Sequence, residues 1–182
     1  MIRLFVALKI PDVIRQKIIT YRKEAYEGSE NFKWEPEEKL HVTLKFIGDV
    51  KEEIVPEISE ELLSLEKFGS LQCSLNKFGF FFKNNVPKIL WIGIKSDPEV
   101  FSIVKSLNSS LEKFSIPKDN RKFKSHITIL RLKGHPGEKF IESFRNFSFP
   151  ESRFIADEII LYKSQLLPAG SKYTEIKKYK LK

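Results

Sequence analysis

Residues 41–44 read His-Val-Thr-Leu, and residues 126–129 read His-Ile-Thr-Ile. The two tetrapeptides stand about 85 residues apart, and their surroundings repeat at nearly the same interval, which marks an internal duplication. A first strand over Ile2–Lys9 maps near Lys88–Lys95, and a helix start at Pro11 maps near Pro98. A helix over Glu53–Lys67 maps near Glu138–Asn146, and a strand over Ser70–Phe80 maps near Arg153–Lys163. A duplicated set of mixed elements predicts an α+β, bilobal fold. It has two mainly antiparallel sheets with helices outside, facing each other about a pseudo-two-fold axis. The cleft between them receives the same strand from each repeat, so residues 1–182 form a single domain of two pseudo-symmetric lobes. Alternating strands and helices also suit a parallel α/β sheet, which ranks second because no Gly-rich phosphate loop follows any strand.

Local signals place the elements. The apolar run Ile2–Ile10 reads as a buried strand. Pro11 and Asp12 suit the first turn of a helix, Val13, Ile14, Ile18, Tyr21 and Ala25 keep helical spacing, and Gly28 ends it. Leu40–Phe46 alternates as a strand. Ile54, Ile58, Leu62 and Leu65 share one side of the helix over Glu53–Lys67, where Pro56 fits the first turn. Pro98 and Glu99 open a helix carrying Val100, Phe101, Val104, Leu107, Leu111 and Phe114. Strands over Ser125–Leu132, Arg153–Lys163 and Tyr173–Leu181 complete the second half.

The length of 182 residues is enough to bury a core without disulfides or metal. The single cysteine, Cys73, excludes a disulfide framework and a multi-cysteine zinc site, and its strand setting reads as a buried structural thiol. No apolar run approaches the ~18 residues of a membrane span, and no signal-peptide core opens the chain. A soluble, cytoplasmic protein without membrane attachment is expected. Lys and Arg total 32 against 24 Asp and Glu, a net charge of +8. That balance favours polyanionic partners, although much of it is solvated lysine surface. Most of the 16 Phe belong to the core, and a few are free to stack on bases.

A strand alternates its faces with period two. His41 and Thr43 therefore share one face, and Val42 and Leu44 the other; His126 and Thr128 stand likewise against Ile127 and Ile129. The apolar residues face the helices, and the His-Thr pairs point away. One His-x-Thr in a strand is commonplace, because threonine favours strands anyway. Two at equivalent points of a repeat form a pattern with chemical meaning. Displacement at phosphorus needs a base for the incoming oxygen and an acid for the leaving one. Two imidazoles titrating near neutrality supply both, and threonine hydroxyls donate to the non-bridging oxygens. No metal or cofactor is called for, since neither histidine has a neighbour at metal-ligand spacing. The third histidine, His135, lies in the turn-like Gly134-His135-Pro136-Gly137 and reads as an exposed loop residue.

These motifs resemble the 2H phosphoesterase superfamily. The nearer likeness is its RNA 2′,3′-cyclic phosphodiesterase branch, also called 2′-5′ RNA ligase. Arg3-Leu4-Phe5-Val6-Ala7 is similar to the family's first strand, and Trp34 with Leu40-His41-Val42-Thr43-Leu44-Lys45-Phe46-Ile47-Gly48 to its first motif. Phe123-Lys124-Ser125-His126-Ile127-Thr128-Ile129-Leu130-Arg131 resembles the second motif, with Ser125 where the family often has proline. Leu161-Tyr162-Lys163-Ser164-Gln165-Leu166 with Pro168, Gly170 and Tyr173 resembles its C-terminal hairpin. The resemblance implies the bilobal fold and a site in the groove. It also implies metal-independent hydrolysis of RNA 2′,3′-cyclic phosphate ends to 2′-phosphate, with reversible 2′-5′ ligation as related chemistry. It makes His41 and His126 the catalytic pair and lets Thr43 and Thr128 bind phosphate. The family scheme has His126 as base and His41 as acid, while the pseudo-symmetry allows either order.

Arg131 matches a family arginine suited to gripping phosphate. By strict alternation it stands on the face opposite His126, and it reaches the cleft only if the strand ends or bulges. Its repeat partner Phe46 meets the same obstacle and is either a core residue or a base-stacking one. Lys45 shares the His41 face by alternation, for a phosphate contact or for solvent. The expected partner is an RNA with a 2′,3′-cyclic phosphate end, tRNA fragments among the candidates, bound by a monomer. The alternatives are a 2H enzyme acting on a small cyclic phosphate or 2′-5′ oligonucleotide, and a non-catalytic RNA-end-binding module.

Overall fold

Pro11 caps the first helix and Asp12 lies in its first turn, where the carboxylate meets the positive end of the helix dipole. Ile14, Ile18, Tyr21 and Ala25 then form its buried stripe, as their spacing predicts. The computed structural model describes residues 1–168 and 170–182. Within them the order is β1 (Ile2–Lys9), α1 (Asp12–Ala25), β2 (His41–Val50), α2 (Val55–Glu61), β3 (Leu71–Lys83) and β4 (Val86–Ser96). There follow α3 (Glu99–Ser110), β5 (His126–Arg131), α4 (Glu138–Asn146), β6 (Arg153–Ala156), β7 (Glu158–Leu167) and β8 (Gly170–Lys180). The helix expected over Glu53–Lys67 is α2 flanked by 3-10 turns at Glu52–Ile54 and Leu62–Lys67. Its apolar stripe survives, because a 3-10 turn eclipses residues three apart and buries Leu62 and Leu65 together. Asn84 and Asn85, both at positive φ, make the tight turn between β3 and β4.

Every ladder is antiparallel, and the strands hydrogen-bond in the order β6-β3-β4-β5-β2-β1-β7-β8. The two expected sheets are thus two four-stranded halves of one sheet, joined where β2 meets β5 at the registered pair Val42–Ile127. The repeats cross between the halves. β3 follows β1 and β2 in the chain yet pairs with β4 of the second repeat, while β7 returns to pair with β1.

One expectation is corrected here. The segment Arg153–Lys163 is not one strand but two. β6 pairs with β3 at one edge of the sheet, and β7 pairs with β1 near the other. Asp157 breaks the run: its carbonyl accepts from Leu181 N at 2.8 Å, and its carboxylate pairs with Lys180. Only that residue separates β6 from β7, so the sheet curls until its far edges approach. The end of the chain fastens the curl: Lys182 N donates to Phe68 O at 2.9 Å, and Ser70 N donates to Lys182 O at 2.7 Å.

The core lies between the sheet and its helices. Val42, Leu44, Ile127 and Ile129 share one apolar cluster with Ile14 and Ile18 of α1, Val100, Ile103 and Leu107 of α3, and Phe140 and Phe144 of α4. Each such side chain contributes ~1.5–3 kcal/mol when fully buried. Cys73 is buried in this cluster, and burial pushes its thiol up to about 12, as suits a structural residue.

Candidate active site

His41 and Thr43 open β2, and His126 and Thr128 open β5. All four are half-buried, while Val42, Leu44, Ile127 and Ile129 between and beside them are fully packed. The alternation expected from the sequence therefore holds at the start of both strands, and the two imidazoles look out from the sheet face opposite the helices. They come from strands that touch at Val42–Ile127. His41 lies close enough to His126 and Arg131 for their charges to bear on it.

Each imidazole hydrogen-bonds the backbone two residues upstream. His126 Nδ1 meets the carbonyl of Lys124 at 2.7 Å, and His41 bonds the backbone of Lys39. A carbonyl only accepts, so the His126 proton sits on Nδ1 and Nε2 keeps its lone pair toward the cleft. Aromatic rings wall both positions. His41 stacks on Phe5 at 5.1 Å and meets Tyr162 and Tyr173 at 6.0 and 5.6 Å. His126 meets Phe81 edge-on at 4.9 Å and Trp91 at 6.2 Å. The Trp91 ring lies over Gly79, where an added Cβ would stand 2.3 Å from the indole. Burial among these groups, with the positive charge of Arg131, pulls His41 down to about 4. Burial first, then Lys124 and Arg131, lowers His126. Both rings are neutral at physiological pH in the free protein.

Arg131 and Phe46 reach the histidine face because both strands bulge. Along β2, Val6 faces Lys45 and Ala7 faces Thr43, which leaves Leu44 as an extra residue. Along β5, Leu90 faces Leu130 and Trp91 faces Thr128, which leaves Ile129 extra. The bulges fall at equivalent points of the repeat, and each shifts the alternation by one. Leu44 and Lys45 are consequently both buried and Phe46 is 68% exposed; Ile129 and Leu130 are buried and Arg131 is exposed. Phe46 is thus not a core residue, and its ring lies 6.2 Å from Phe5 beside His41.

The same bulge takes Lys45 away from the site, against the expectation from alternation. Lys45 is 2% exposed, and its Nζ donates to Asn108 Oδ1 at 2.9 Å and to Pro117 O at 2.6 Å, with Asp119 at 3.1 Å. It ties the loop before β5 to α3 and touches no cleft residue in these bonds. His135 is an exposed loop residue, as expected. Its Nδ1 accepts from Gly137 N at 3.1 Å and its Nε2 lies 3.3 Å from Glu138.

Further groups complete the cleft, and of these Glu35 and Lys39 carry no sequence signal of their own. Beyond Val42–Ile127 the strands β2 and β5 part, and residues 34 and 35 fill the gap. Trp34 bridges to Leu130, and Glu35 N donates to Ile129 O at 2.9 Å. Glu35 Oε1 then receives Arg131 Nε at 3.1 Å. Lys39 and Lys124, at equivalent repeat positions, seat their ammonium groups over Tyr173 at 5.7 Å and Trp91 at 3.9 Å. A cavity of about 730 Å³ opens beside His41, with Lys9, Arg15, Lys39, Tyr162, Tyr173 and Glu175 in its wall. Among the described residues, no three or more His, Cys, Asp and Glu side chains gather as a metal site would require. No helix among them is long and apolar enough to cross a membrane.

Known proteins share this fold. The family model described as LigT like Phosphoesterase matches twice, over residues 8–91 and 92–173, so each half of the chain resembles it separately. The chain is 33% identical over 177 residues to a protein of Archaeoglobus fulgidus named RNA 2′,3′-cyclic phosphodiesterase, covering 96% of this chain and 98% of that one. A Methanocaldococcus jannaschii protein of the same name is 32% identical over 181 residues, covering 97% and 99%. Among solved structures, E. coli LigT complexed with 3′-AMP superimposes with a TM-score of 0.77 at 24% identity, covering 99% and 98%. A Thermus thermophilus protein gives 0.78 at 22% identity, covering 98% and 97%. With both repeats matched by the family model and the curled sheet shared with LigT, this chain belongs to the LigT-like phosphoesterase family, the 2H phosphoesterases.

Proposed function

We propose that the chain hydrolyses RNA 2′,3′-cyclic phosphate ends to 2′-phosphate, using His41 and His126 as its acid–base pair. The observation that carries this reading is the pairing of two imidazoles, one per repeat, on adjoining strands of one cleft. The names of the relatives point to the same substrate. One imidazole takes a proton from water as the water oxygen attacks phosphorus. The P–O3′ bond breaks, and the other ring, held as imidazolium by the bound phosphate, gives its proton to O3′, which leaves a 2′-phosphate and a 3′-hydroxyl. Thr43 and Thr128 donate hydroxyl protons to the non-bridging oxygens, Arg131 offers its guanidinium to the same charge, and Phe46 gives the terminal base a ring to stack on. One chain supplies both histidines, so a monomer of one two-lobed domain suffices. Replacing water by a ribose hydroxyl would turn the same site to 2′-5′ joining.

The test is the product. An RNA oligomer ending in a 2′,3′-cyclic phosphate, incubated in excess chelator, yields a 2′-phosphate end. A 3′-phosphate end would place the broken bond on the other oxygen, and RNA binding without turnover would leave only an end-binding module.

The pH dependence follows from the two lowered imidazoles. In the free protein His41 titrates at about 4 and His126 below the ordinary 6.5. The base must be unprotonated and the acid protonated, so kcat/KM is a bell with its maximum on the acid side of 6.5 and its acid limb near 4. Bound phosphate favours imidazolium, so the kcat profile lies at higher pH than that of kcat/KM. A kcat/KM maximum above neutrality contradicts this assignment.

A further inference from the structure

We infer that Glu35 is a positioning residue: its carboxylate sets the direction in which Arg131 presents its guanidinium to the reacting phosphate. The inference rests on the reading that Arg131 grips that phosphate. Arg131 projects from the end of β5 with a side chain 61% exposed, so nothing in its own strand fixes where it points. Glu35 does, from a backbone held at both ends. Its N–H donates to the carbonyl of Ile129, the bulge residue, at 2.9 Å, and its own carbonyl accepts from Arg22 Nη1 at 3.3 Å. Arg22 is steadied in turn over the Trp34 ring at 5.1 Å.

One two-residue segment therefore does two things. It pairs the carbonyl of Ile129, the bulge residue, on the side where β2 has parted from β5. It also supplies the carboxylate that receives Arg131 Nε at 3.1 Å. With Nε engaged, the parallel pair Nη1 and Nη2 is the donor edge left for phosphate oxygens. An ion pair this exposed adds little stability; its consequence is directional. The repeat supports the point, because Phe46, the counterpart of Arg131, has no charge to aim.

The test is a double-mutant cycle in steady-state hydrolysis of an RNA oligomer with a 2′,3′-cyclic phosphate end. Glu35→Ala is expected to raise KM about tenfold while kcat changes less, because a misdirected guanidinium weakens phosphate binding. Glu35→Gln is expected to keep KM within about threefold of the parent, since the amide oxygen still accepts from Nε, though more weakly. In an Arg131→Ala background, Glu35→Ala should add nothing. The inference is overturned if Glu35→Ala acts as strongly without Arg131, or if the Gln variant is as impaired as Ala. Either result with normal parental turnover removes only the role of Glu35. A parent without turnover, or an Arg131→Ala variant with unchanged KM, removes the underlying reading and this inference with it.

Discussion

His41→Ala and His126→Ala each lower hydrolysis of an RNA 2′,3′-cyclic phosphate by about 10³-fold or more, the loss typical of removing a positioned acid or base. The double variant is little worse than either single one, because a displacement that lacks its base gains little from its acid. Thr43→Val and Thr128→Val, which keep the β-branched shape, cost less, about ten- to a hundredfold each, since each hydroxyl is one donor among several. The fold should survive all four changes. The histidines and threonines lie on the open face of the sheet, and the apolar cluster is built from Val42, Leu44, Ile127 and Ile129 on the other. Circular dichroism and rapid-quench hydrolysis of the same preparations check both halves of the expectation. Near-parental turnover in either histidine variant would sink the two-imidazole mechanism.

Lys45→Ala has the second large effect, on stability rather than chemistry. The ammonium holds Asn108 Oδ1 and Pro117 O in a site where it is 2% exposed, with Asp119 at 3.1 Å on the rim. Removing it strands the Pro117 carbonyl, leaves Asn108 Oδ1 with only the Asp119 N–H at 3.0 Å, and opens a cavity. The expected loss is about 3 kcal/mol in urea unfolding. Lys45→Met keeps the stem and separates the two costs: it fills the space, as Leu130 does at the equivalent point of the second repeat, yet still leaves the Pro117 carbonyl without its donor. It should fall between Ala and the parent. KM should hold in both variants at temperatures where they are folded. A raised KM with unchanged stability would return Lys45 to the cleft and contradict the bulge at Leu44.

That bulge marks where the sequence stops being readable. His41, Thr43, His126 and Thr128 precede any irregularity, so period-two alternation assigns their face correctly. One residue further the count fails. Neither Leu44 nor Ile129 is a glycine, proline or asparagine that would announce a bulge, and alternation then puts Lys45 in the cleft and Phe46 and Arg131 out of it. The order is the reverse. The repeat itself was legible from the paired motifs, whereas the exchange of β3 and β7 between halves was not, because spacing along a chain carries no record of which strand pairs with which. The division of Arg153–Lys163 was hidden for the same reason: Asp157 and Glu158 read as a short polar step in an apolar run, and only the bonds of Asp157 to Lys180 and Leu181 turn it into a break. Glu35 could not be found, since its importance comes from lying across a gap between two strands far apart in the chain.

The exchange of third strands bears on how the protein acquires its shape during synthesis. β1 is translated long before β7, yet one of its two ladders is with that strand, 157 residues later by the register Phe5–Tyr162. Until β7 emerges from the ribosome, the inner strand of the first half presents a bare, apolar edge, Leu4 to Leu8, of the kind that seeks any available partner. The second half is completed earlier, when β6 reaches β3. A nascent chain arrested between Asp157 and Leu167 would therefore hold one His-Thr strand in a finished half and the other in an unfinished one, poised to pair with a neighbouring chain.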